Sequence, residues 1–242
     1  MIAVILAAGM ASRLRPLTDD RPKCLLQVGN RCLLQRTVDA LVSAGIGELV
    51  VVTGYRGNMI RDFLNGHYRD VQFHFIDNPD YPTTNNIYSL WLTKSFVAGK
   101  DFILLDSDIL FDPQIIKVML AEKKTALALN RHELGEEEIK VIVDSDNCVT
   151  EISKVCEISK AVGESVGIEK MNADYSEALF AELAQMIEKE QQVNIFYERA
   201  FERLIAQGHQ FRIIDTTDYF SIELDTVEDF NKAKELIPQN LY

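Results

Sequence analysis

The sequence of 242 residues lacks several features that mark particular classes of protein. No apolar run reaches the length needed to cross a membrane. The first apolar run has no basic residues before it and no cleavage site after it, so it is not typical of a secretory signal. There is no internal repeat and no low-complexity stretch. These absences favour a globular protein of the cytoplasm that does not work in a membrane.

Cysteine and positive charge are both scarce. The four cysteines form no C-x-x-C pair, which favours free thiols in a reducing compartment. They are Cys24, Cys32, Cys148 and Cys156. Lys and Arg number 25 against 37 Asp and Glu, so the net charge is −12. This imbalance opposes binding to nucleic acid or to an anionic membrane. An acidic protein that binds a polyphosphate must gather its positive charge locally.

The N-terminal segment has such a local concentration of positive charge. The apolar run Ile2–Ala8 leads through Gly9 into a loop of small residues that carries Arg13 and, later, Lys23. Small residues let backbone N–H groups approach an anion, and the cations neutralise it. A core strand followed by a turn is the simpler alternative for the apolar run alone. The spacing matches neither a P-loop nor a dinucleotide-binding fingerprint, because the required Gly-Lys-Ser/Thr and the second and third glycines are missing.

The order of apolar runs and helical patterns predicts an α/β protein. In the first half, strands are expected at 2–8, 49–53, 71–76, 102–105 and 125–129, and helices at 33–44, 58–64, 86–96 and 113–122. This alternation favours a Rossmann-like, mostly parallel central sheet covered on both faces. In the second half, a hairpin is expected at 140–144 and 148–153, strands at 165–171, 211–215 and 220–224, and helices at 175–191, 197–206 and 227–236.

Two pairs of carboxylates follow predicted strands. Asp106 and Asp108 end the run at 102–105, and Glu223 and Asp225 point to the same side of a later strand by alternation. Ligands in parallel sheets bind beyond the carboxyl ends of the strands. Carboxylates there suit a magnesium ion held on substrate phosphates. Capping of the following helices is the alternative, although Asp112 is the better cap for the helix at 113.

Residues 6–23 resemble the signature of the nucleotidyltransferases that make NDP-sugars and CDP-alcohols, L-A-A-G-x-G-x-R-L-x-P-L-T-x-x-x-P-K. This chain reads L-A-A-G-M-A-S-R-L-R-P-L-T-D-D-R-P-K. Ala11 stands where the family usually has a second glycine, and a single added methyl is expected to leave the function in place. The resemblance implies the fold of the nucleotide-diphospho-sugar transferases. It also implies a nucleotide site that includes Leu6, Ala7, Ala8, Gly9, Ser12 and Asp106.

The resemblance also implies a reaction and a role for each charged residue. An acceptor oxygen attacks the α-phosphorus of a nucleoside triphosphate and pyrophosphate leaves, without a protein nucleophile. Arg13 would hold the β- and γ-phosphates, and Lys23 the α-phosphate and the acceptor. Asp108, with Asp225 from the E-L-D-T segment, would bind Mg²⁺. Solvated surface charge is the alternative for the two cations.

Two further segments indicate the substrates. The N-N-x-Y-S-L segment at 85–90 resembles the phosphocholine and phosphonate cytidylyltransferases, which favours CTP. Gly54, Tyr55, Asn86 and Ser89 are therefore expected near the nucleotide, with helix capping and core packing as the alternative. The segment 194–198 places aromatic rings beside a carboxylate, which can hold an ammonium group, or can simply begin a helix. Residues 163–170 resemble the G-E-x-x-G-I-x-K strand of the same family, and this resemblance implies an acceptor pocket that includes Glu164, Lys170, Tyr197 and Glu198.

The leading hypothesis is a magnesium-dependent cytidylyltransferase that uses CTP and phosphocholine or 2-aminoethylphosphonate, as a monomer or homodimer. A sugar-1-phosphate nucleotidyltransferase is the alternative enzyme. A nucleotide-binding regulatory subunit is the alternative without catalysis, but such a protein is expected to lose the site charges. One domain is predicted over 1–242, with residues 1–130 binding the nucleotide. Residues 131–242 would bind the acceptor under a small lid and complete the metal site.

Overall fold

The computed structural model describes residues 1–241, which form a mixed α/β structure. The strands are β1 (Ile2–Ala7), β2 (Gln27–Val28), β3 (Arg31–Cys32), β4 (Glu48–Thr53), β5 (Gln72–Asp77), β6 (Phe102–Asp106), β7 (Ile109–Phe111), β8 (Ala126–Asn130), β9 (Lys140–Val143), β10 (Val149–Ser153), β11 (Gly163–Met171), β12 (Arg212–Asp215) and β13 (Ser221–Glu223). The helices are α1 (Leu33–Ser43), α2 (Gly57–His67), α3 (Asn86–Leu92), α4 (Lys94–Val97), α5 (Gln114–Ala121), α6 (Ala173–Ala184), α7 (Glu198–Ala206) and α8 (Val227–Leu236).

The central sheet has the order β10-β9-β11-β6-β1-β4-β5, and β8 joins β11 to β12. Strand β1 lies between β4 and β6 and is parallel to both. Strand β11 runs antiparallel to β6, β8 and β9. The mostly parallel sheet that the sequence predicts is therefore confirmed, with β11 near its middle and β10 at one edge running in the opposite direction.

The buried strands have helices on both faces. Successive residues of β1 enter two different cores, since Val4 and Leu6 pack on one side of the sheet and Ile5 and Ala7 on the other. Helices α3, α6 and α7 cover the first face, and α1, α2 and α5 the second. Burial on both faces explains why these strands are continuous apolar runs rather than alternating ones.

A third apolar cluster lies beside the sheet. It joins Leu14 and Leu26 of the N-terminal loop to Leu110 of β7, to Leu224 and to Phe230 of α8. Strands β7 and β13 pair antiparallel as a separate two-stranded ribbon. The cluster and the ribbon therefore bring the N-terminal loop and helix α8 to the same edge of the sheet.

Several predicted elements differ in their bounds. The helix predicted at 86–96 divides at Thr93 into α3 and α4, and the helix predicted at 175–191 changes after Ala184 into a π-helical turn. The short strands β2, β3 and β7 were not predicted. The hairpin of β9 and β10 is confirmed, with Asn147 at a φ of 59° in its turn.

Smaller features agree with the sequence. Thr226 forms a capping box with Asp229 at the start of α8, and the Asp112 carboxylate accepts a hydrogen bond from the Gln114 N–H at 2.8 Å.

The four cysteines, all within residues 1–241, carry free thiols. Over the same residues, no helix combines the length and the apolar character that spanning a bilayer requires.

Candidate active site

A cleft of about 1050 Å³ opens at the carboxyl ends of β1 and β6. Its walls come from the loop after β1, the segment after β5, the β6–β7 turn, the segment between β8 and β9, and the residues around β13. This is the edge at which ligands bind in parallel sheets. Arg13, Lys23, Asp108 and Asp225 all line it.

Lys23 is at the centre of a charged cluster in this cleft. Its Nζ lies 2.9 Å from Asp108 Oδ2 and 2.9 Å from Asp225 Oδ1. Arg13 donates to the other oxygen of Asp225. Lys23 is only 9% exposed, because the 3₁₀ turn Lys23–Leu25 directs it into the cleft. The four residues that the sequence assigns to phosphates and metal are thus brought together.

Pairing of β7 with β13 positions the two aspartates. Asp108 immediately precedes β7, and its carbonyl accepts the N–H of Leu224, the residue before Asp225. Residues that precede one strand and follow its antiparallel partner lie at the same end of a ribbon. The ribbon therefore holds the two carboxylates together although they are far apart in sequence.

Glu223 adds a third carboxylate to this site. Oxygens of Asp108, Glu223 and Asp225 lie within 4.8 Å of one another. Asp108 Oδ1 is buried and has no hydrogen-bond partner among residues 1–241. Desolvation and the charges of Asp108 and Asp225 raise the pKa of Glu223, whereas Lys23 and Arg13 outweigh desolvation and lower the pKa of Asp225. Crowded carboxylates with an unused oxygen fit a hard divalent cation.

Ala11 has a left-handed backbone conformation, with φ 46° and ψ 51°. Its carbonyl accepts hydrogen bonds from the Leu14 N–H and from Thr18 Oγ1, both at 3.0 Å, which hold the loop in its turn. Glycine adopts this conformation without the steric cost that a Cβ brings. The geometry explains why glycine is expected at this place, and it shows that alanine keeps the same turn here.

The residues predicted on the nucleotide side divide into two groups. Those that line the cleft are Leu6, Ala7, Ala8, Gly9, Ser12, Asn86, Ser89 and Asp106. Gly54 and Tyr55 do not line the cleft and lie directly behind its wall. A Cβ on Gly54 would lie 2.6 Å from Ala8 O and 2.9 Å from Tyr81 Cβ. The Tyr55 hydroxyl lies within hydrogen-bond distance of the carbonyls of Thr18 and Asp19. Gly54 and Tyr55 therefore pack behind the residues that line the cleft.

Tyr81 and Asn78 line the cleft where Gly54 and Tyr55 were expected. Asn78 directly follows β5, the neighbour of β4 in the sheet, and donates to Ser89 Oγ at 3.1 Å. The rule that ligands bind beyond strand ends points to the loop after the predicted strand at 71–76, which contains Asn78, although Asn78 itself is not singled out by the sequence.

On the acceptor side, Glu164 and Glu198 line the cleft, whereas Tyr197 and Lys170 do not. The Tyr197 side chain is fully buried, and its hydroxyl lies 2.9 Å from Asp106 Oδ2 and 3.3 Å from Glu169 Oε2. Lys170 is placed opposite Ile103, near the start of β6. Because β11 is antiparallel to β6, its last residues run away from the edge that holds the cleft, which corrects the role predicted for Lys170.

Glu198 is the most notable acceptor-side group. It is 6% exposed and its Oε2 has no hydrogen-bond partner in the described part of the chain. Burial raises the pKa of Glu198 to about 7, against the opposing charge of Lys154. Burial and neighbouring acids also raise the pKa values of Asp106 and Glu169 well above their usual range. The raised pKa values favour the protonated, uncharged forms of these carboxyls, and a cation entering this region would favour their ionised forms.

Several cleft residues were not singled out from the sequence. Lys154 Nζ lies 5.1 Å from the centre of the Phe196 ring and 3.3 Å from Glu137 Oε2. His132 Nε2 lies 2.7 Å from Glu164 Oε2. These residues come from loops and turns that only the folded chain brings together, so no local pattern marks them.

Comparison with known proteins identifies the family. Residues 2–152, more than half of the chain, match the family model described as nucleotidyl transferase. The chain belongs to the nucleotidyl transferase family. The matched residues include Arg13, Lys23 and Asp108, while Asp225 lies beyond them.

Two characterised relatives are similar to this nucleotidyl transferase over nearly its whole length. The CMP-5'-(3-aminopropyl)phosphonate synthase of Streptomyces rubellomurinus is 28% identical over 238 residues, which cover 96% of this chain and 38% of that protein. The choline-phosphate cytidylyltransferase of Streptococcus pneumoniae is 25% identical over 238 residues, which cover 98% of both. Three of the matched relatives are longer proteins, of which the chain spans 38% to 54%.

The fold is shared with a solved relative of this nucleotidyl transferase. The CTP:phosphocholine cytidylyltransferase structure from Streptococcus pneumoniae superposes with a TM-score of 0.80 at 23% identity, covering 98% of this chain and 99% of that one. At this level of identity the likeness concerns the fold alone.

Proposed function

We propose that this chain is a magnesium-dependent cytidylyltransferase that joins CTP to a small phosphate or phosphonate acceptor carrying a cationic nitrogen. The observation that carries the proposal is the contact of Lys23 with both Asp108 and Asp225, beside Arg13, in a cleft at the carboxyl edge of the sheet. Buried positive charge next to metal-binding carboxylates suits a reaction between two highly charged phosphorus groups.

The reaction exchanges one phosphorus–oxygen bond for another. An acceptor oxygen forms a bond to the α-phosphorus of CTP, the bond from that phosphorus to the α,β-bridging oxygen breaks, and pyrophosphate leaves with the bonding pair. Arg13, on the loop after β1, would neutralise the departing phosphates. Lys23 would hold the α-phosphate and the attacking group in line, which is the main catalytic requirement because no covalent intermediate is needed.

Asp108 and Asp225 would hold Mg²⁺, and Glu223 is a further candidate ligand. The free Oδ1 of Asp108 and the clustering of the three carboxylates support this assignment. When bound, Mg²⁺ supplies positive charge that neutralises the phosphate oxygens. The ammonium of Lys23 lies 2.9 Å from each of the two aspartates and offsets part of their negative charge.

CTP as the nucleotide is supported by the N-N-x-Y-S-L segment and by the names of the relatives. Asn86 is the first residue of α3 and Ser89 lies three residues later, and both line the cleft. Asn86 Oδ1 accepts the N–H of Tyr197 at 2.9 Å, so this helix also connects the nucleotide side to the acceptor side.

An acceptor with a cationic nitrogen is supported by Glu198 and Phe196. Glu198 presents a buried carboxylate oxygen without a partner, and Phe196 is 42% exposed in the same cleft. An aromatic face and a carboxylate together stabilise an ammonium group. The ammonium of Lys154 lies over the Phe196 ring, which supports the view that this ring can accommodate a cationic nitrogen.

The test is pyrophosphate release in the presence of Mg²⁺. CTP, UTP, dTTP, GTP and ATP would each be combined with phosphocholine, 2-aminoethylphosphonate and glucose 1-phosphate. Turnover with CTP and a nitrogen-containing acceptor is expected. Turnover only with glucose 1-phosphate would contradict the acceptor and favour a sugar-1-phosphate nucleotidyltransferase. Tight CTP binding without turnover for any pair would contradict catalysis and favour a regulatory role.

Lys23→Met, with Lys160→Met as the matched control, would test the catalytic assignment. Lys160 is exposed, and its ion pair within residues 1–241 is with Glu157 alone. Loss of turnover in the first variant and not in the second is expected.

A further inference from the structure

Lys140 is a buried charge with an unusual set of partners. It begins β9 and is 1% exposed. Its ammonium donates to Glu136 O at 3.1 Å, Glu138 O at 3.3 Å and Lys154 O at 2.6 Å. An ammonium has three N–H donors, so every donor has an acceptor. Among residues 1–241 the Lys140 ammonium forms no ion pair within 4 Å, so its hydrogen bonds go to carbonyl dipoles. Its charge also acts on Glu164, where it opposes the rise in the pKa of that carboxyl that burial causes.

The three carbonyls belong to the backbone beneath two cleft side chains. Glu136 and Glu138 flank Glu137, and the third carbonyl is that of Lys154 itself. Glu137 and Lys154 line the cleft and form an ion pair of 3.3 Å. The Glu137 side chain is 81% exposed, and an exposed pair of this kind contributes little by itself. The position of both partners therefore depends mainly on how the backbone is held.

The segment 131–139 has few other supports. It contains no helix or strand and connects β8 to β9. One end is anchored by Arg131, which donates to Asp215, Thr217 and Val162, and by the contact of His132 with Glu164. At the other end, Ile139 O accepts the Ser165 N–H at 2.9 Å. Between these anchors, Lys140 supplies the contacts that tie residues 136–138 to the turn after β10. In the sheet, Lys140 lies opposite Ser153 of β10 and Glu164 of β11.

We propose that Lys140 is a positioning residue that holds Glu137 and Lys154 at the acceptor wall of the cleft. Lys140 does not line the cleft, so its effect passes through the backbone of 136–138 and of 154. The inference rests on the proposed function in that the wall is taken to bind the acceptor. Small displacements of groups that orient a substrate lower catalytic efficiency strongly, by about 10²-fold for 1 Å.

The test compares Lys140→Met, which keeps the length and removes the charge and donors, with Lys160→Met, which removes an exposed charge. In steady-state pyrophosphate release, the first variant is expected to raise the acceptor KM about tenfold or more and to leave the CTP KM within about twofold of wild type. The second variant is expected to change neither. Equal rises in both KM values would indicate a general structural defect and overturn the proposal, as would an unchanged acceptor KM.

A second measurement does not depend on turnover. In hydrogen exchange, amides of 136–139 are expected to exchange faster in Lys140→Met than in wild type, while those of 9–14 stay the same. Unchanged exchange at 136–139 would overturn the proposal even if the wild-type protein is an active cytidylyltransferase. An inactive wild type with the expected exchange would contradict the proposed function alone. If Lys140→Met does not fold, Lys140→Gln, which retains an amide donor, is measured in the same two ways with the same expected direction.

Discussion

Lys23 Nζ lies 2.9 Å from Asp225 Oδ1 although 202 residues separate them in the chain. The contact depends on two features that are distant from the main sheet. One is the pairing of β7 with β13, and the other is the apolar cluster that joins Leu14 and Leu26 to Phe230 of α8. A site for charged substrates is thus assembled by an apolar cluster that contains none of its charged groups.

Replacing Arg13 with alanine removes one of the two cations of the cluster. We expect kcat/KM for CTP to fall about 10²- to 10³-fold, or about 3–4 kcal/mol, because the charge on the leaving phosphates is no longer neutralised. Pyrophosphate release measures this loss. Arg15→Ala is the matched control, since Arg15 is exposed and, in the part of the chain that the structure describes, its side chain pairs with Asp19 alone. Similar losses in both variants would be inconsistent with a specific role for Arg13.

Asp108→Asn tests the metal site. Replacing one of the three clustered carboxylates lowers the charge available to a divalent cation, so the Mg²⁺ concentration for half-maximal activity should rise at least about tenfold. A magnesium titration of initial rates measures this. Asp112→Asn is the control, because that side chain caps α5 outside the cleft and asparagine also caps helices well. An unchanged magnesium requirement in Asp108→Asn would count against the assignment.

The buried carboxyl of Glu198 makes stability depend on pH. Burial raises its pKa from 4.5 to about 7, with Glu202 adding to the rise and Lys154 opposing it. A raised folded-state pKa favours the protonated form, so the stabilisation is complete below about pH 4.5 and is lost as pH rises through about 7. The loss is on the order of 3 kcal/mol. Denaturant unfolding from pH 4.5 to 8 should show this slope in wild type and a flatter one in Glu198→Gln.

The same carboxyl should make acceptor binding depend on pH. An ionised Glu198 attracts a cationic nitrogen, so the acceptor KM is expected to fall as pH rises through about 7. Glu198→Gln should raise the acceptor KM and abolish this part of the pH dependence while leaving the CTP KM unchanged. A variant that retains the wild-type profile would show that another group is responsible.

Ala11→Gly should stabilise the protein. Alanine at φ 46° costs about 1–2 kcal/mol, and the greater freedom of glycine in the unfolded chain offsets about 0.4–1 kcal/mol of the gain. The net gain of about 0.5–1 kcal/mol can be measured by thermal or denaturant unfolding. Ala184→Gly is a control of opposite sign, because Ala184 has helical φ and ψ and glycine there costs about 1 kcal/mol. Destabilisation by Ala11→Gly would contradict the strain argument.

Local sequence patterns predicted most elements of the fold because their signals are local. Helix α8 agrees with its predicted bounds, since Thr226 and Asp229 form a capping box that is visible as residue types at a fixed spacing. Strand β7 was missed because three apolar residues between a turn and a helix carry no period. Its importance comes from its partner β13, more than a hundred residues later.

The sequence predicts the site residues that follow the ends of predicted strands. It does not predict the residues that reach the cleft only through tertiary structure. Arg13 and Asp108 follow buried strands, so their places could be anticipated. Lys154 reaches the cleft from the turn after β10, and Glu137 from a segment without regular structure. Lys170 was misplaced because the direction of β11 relative to β6 cannot be deduced from an apolar run.

The late position of β13 in the chain has a consequence for synthesis. A growing polypeptide that has already formed β1, β4 and β6 would display Arg13, Lys23 and Asp108 but would lack Asp225. Until β13 has left the ribosome, the growing chain would expose a basic loop without its full set of acidic partners. The proposed site for triphosphate and metal can therefore be completed only after β13 has been synthesised, when the earlier sheet is already in place.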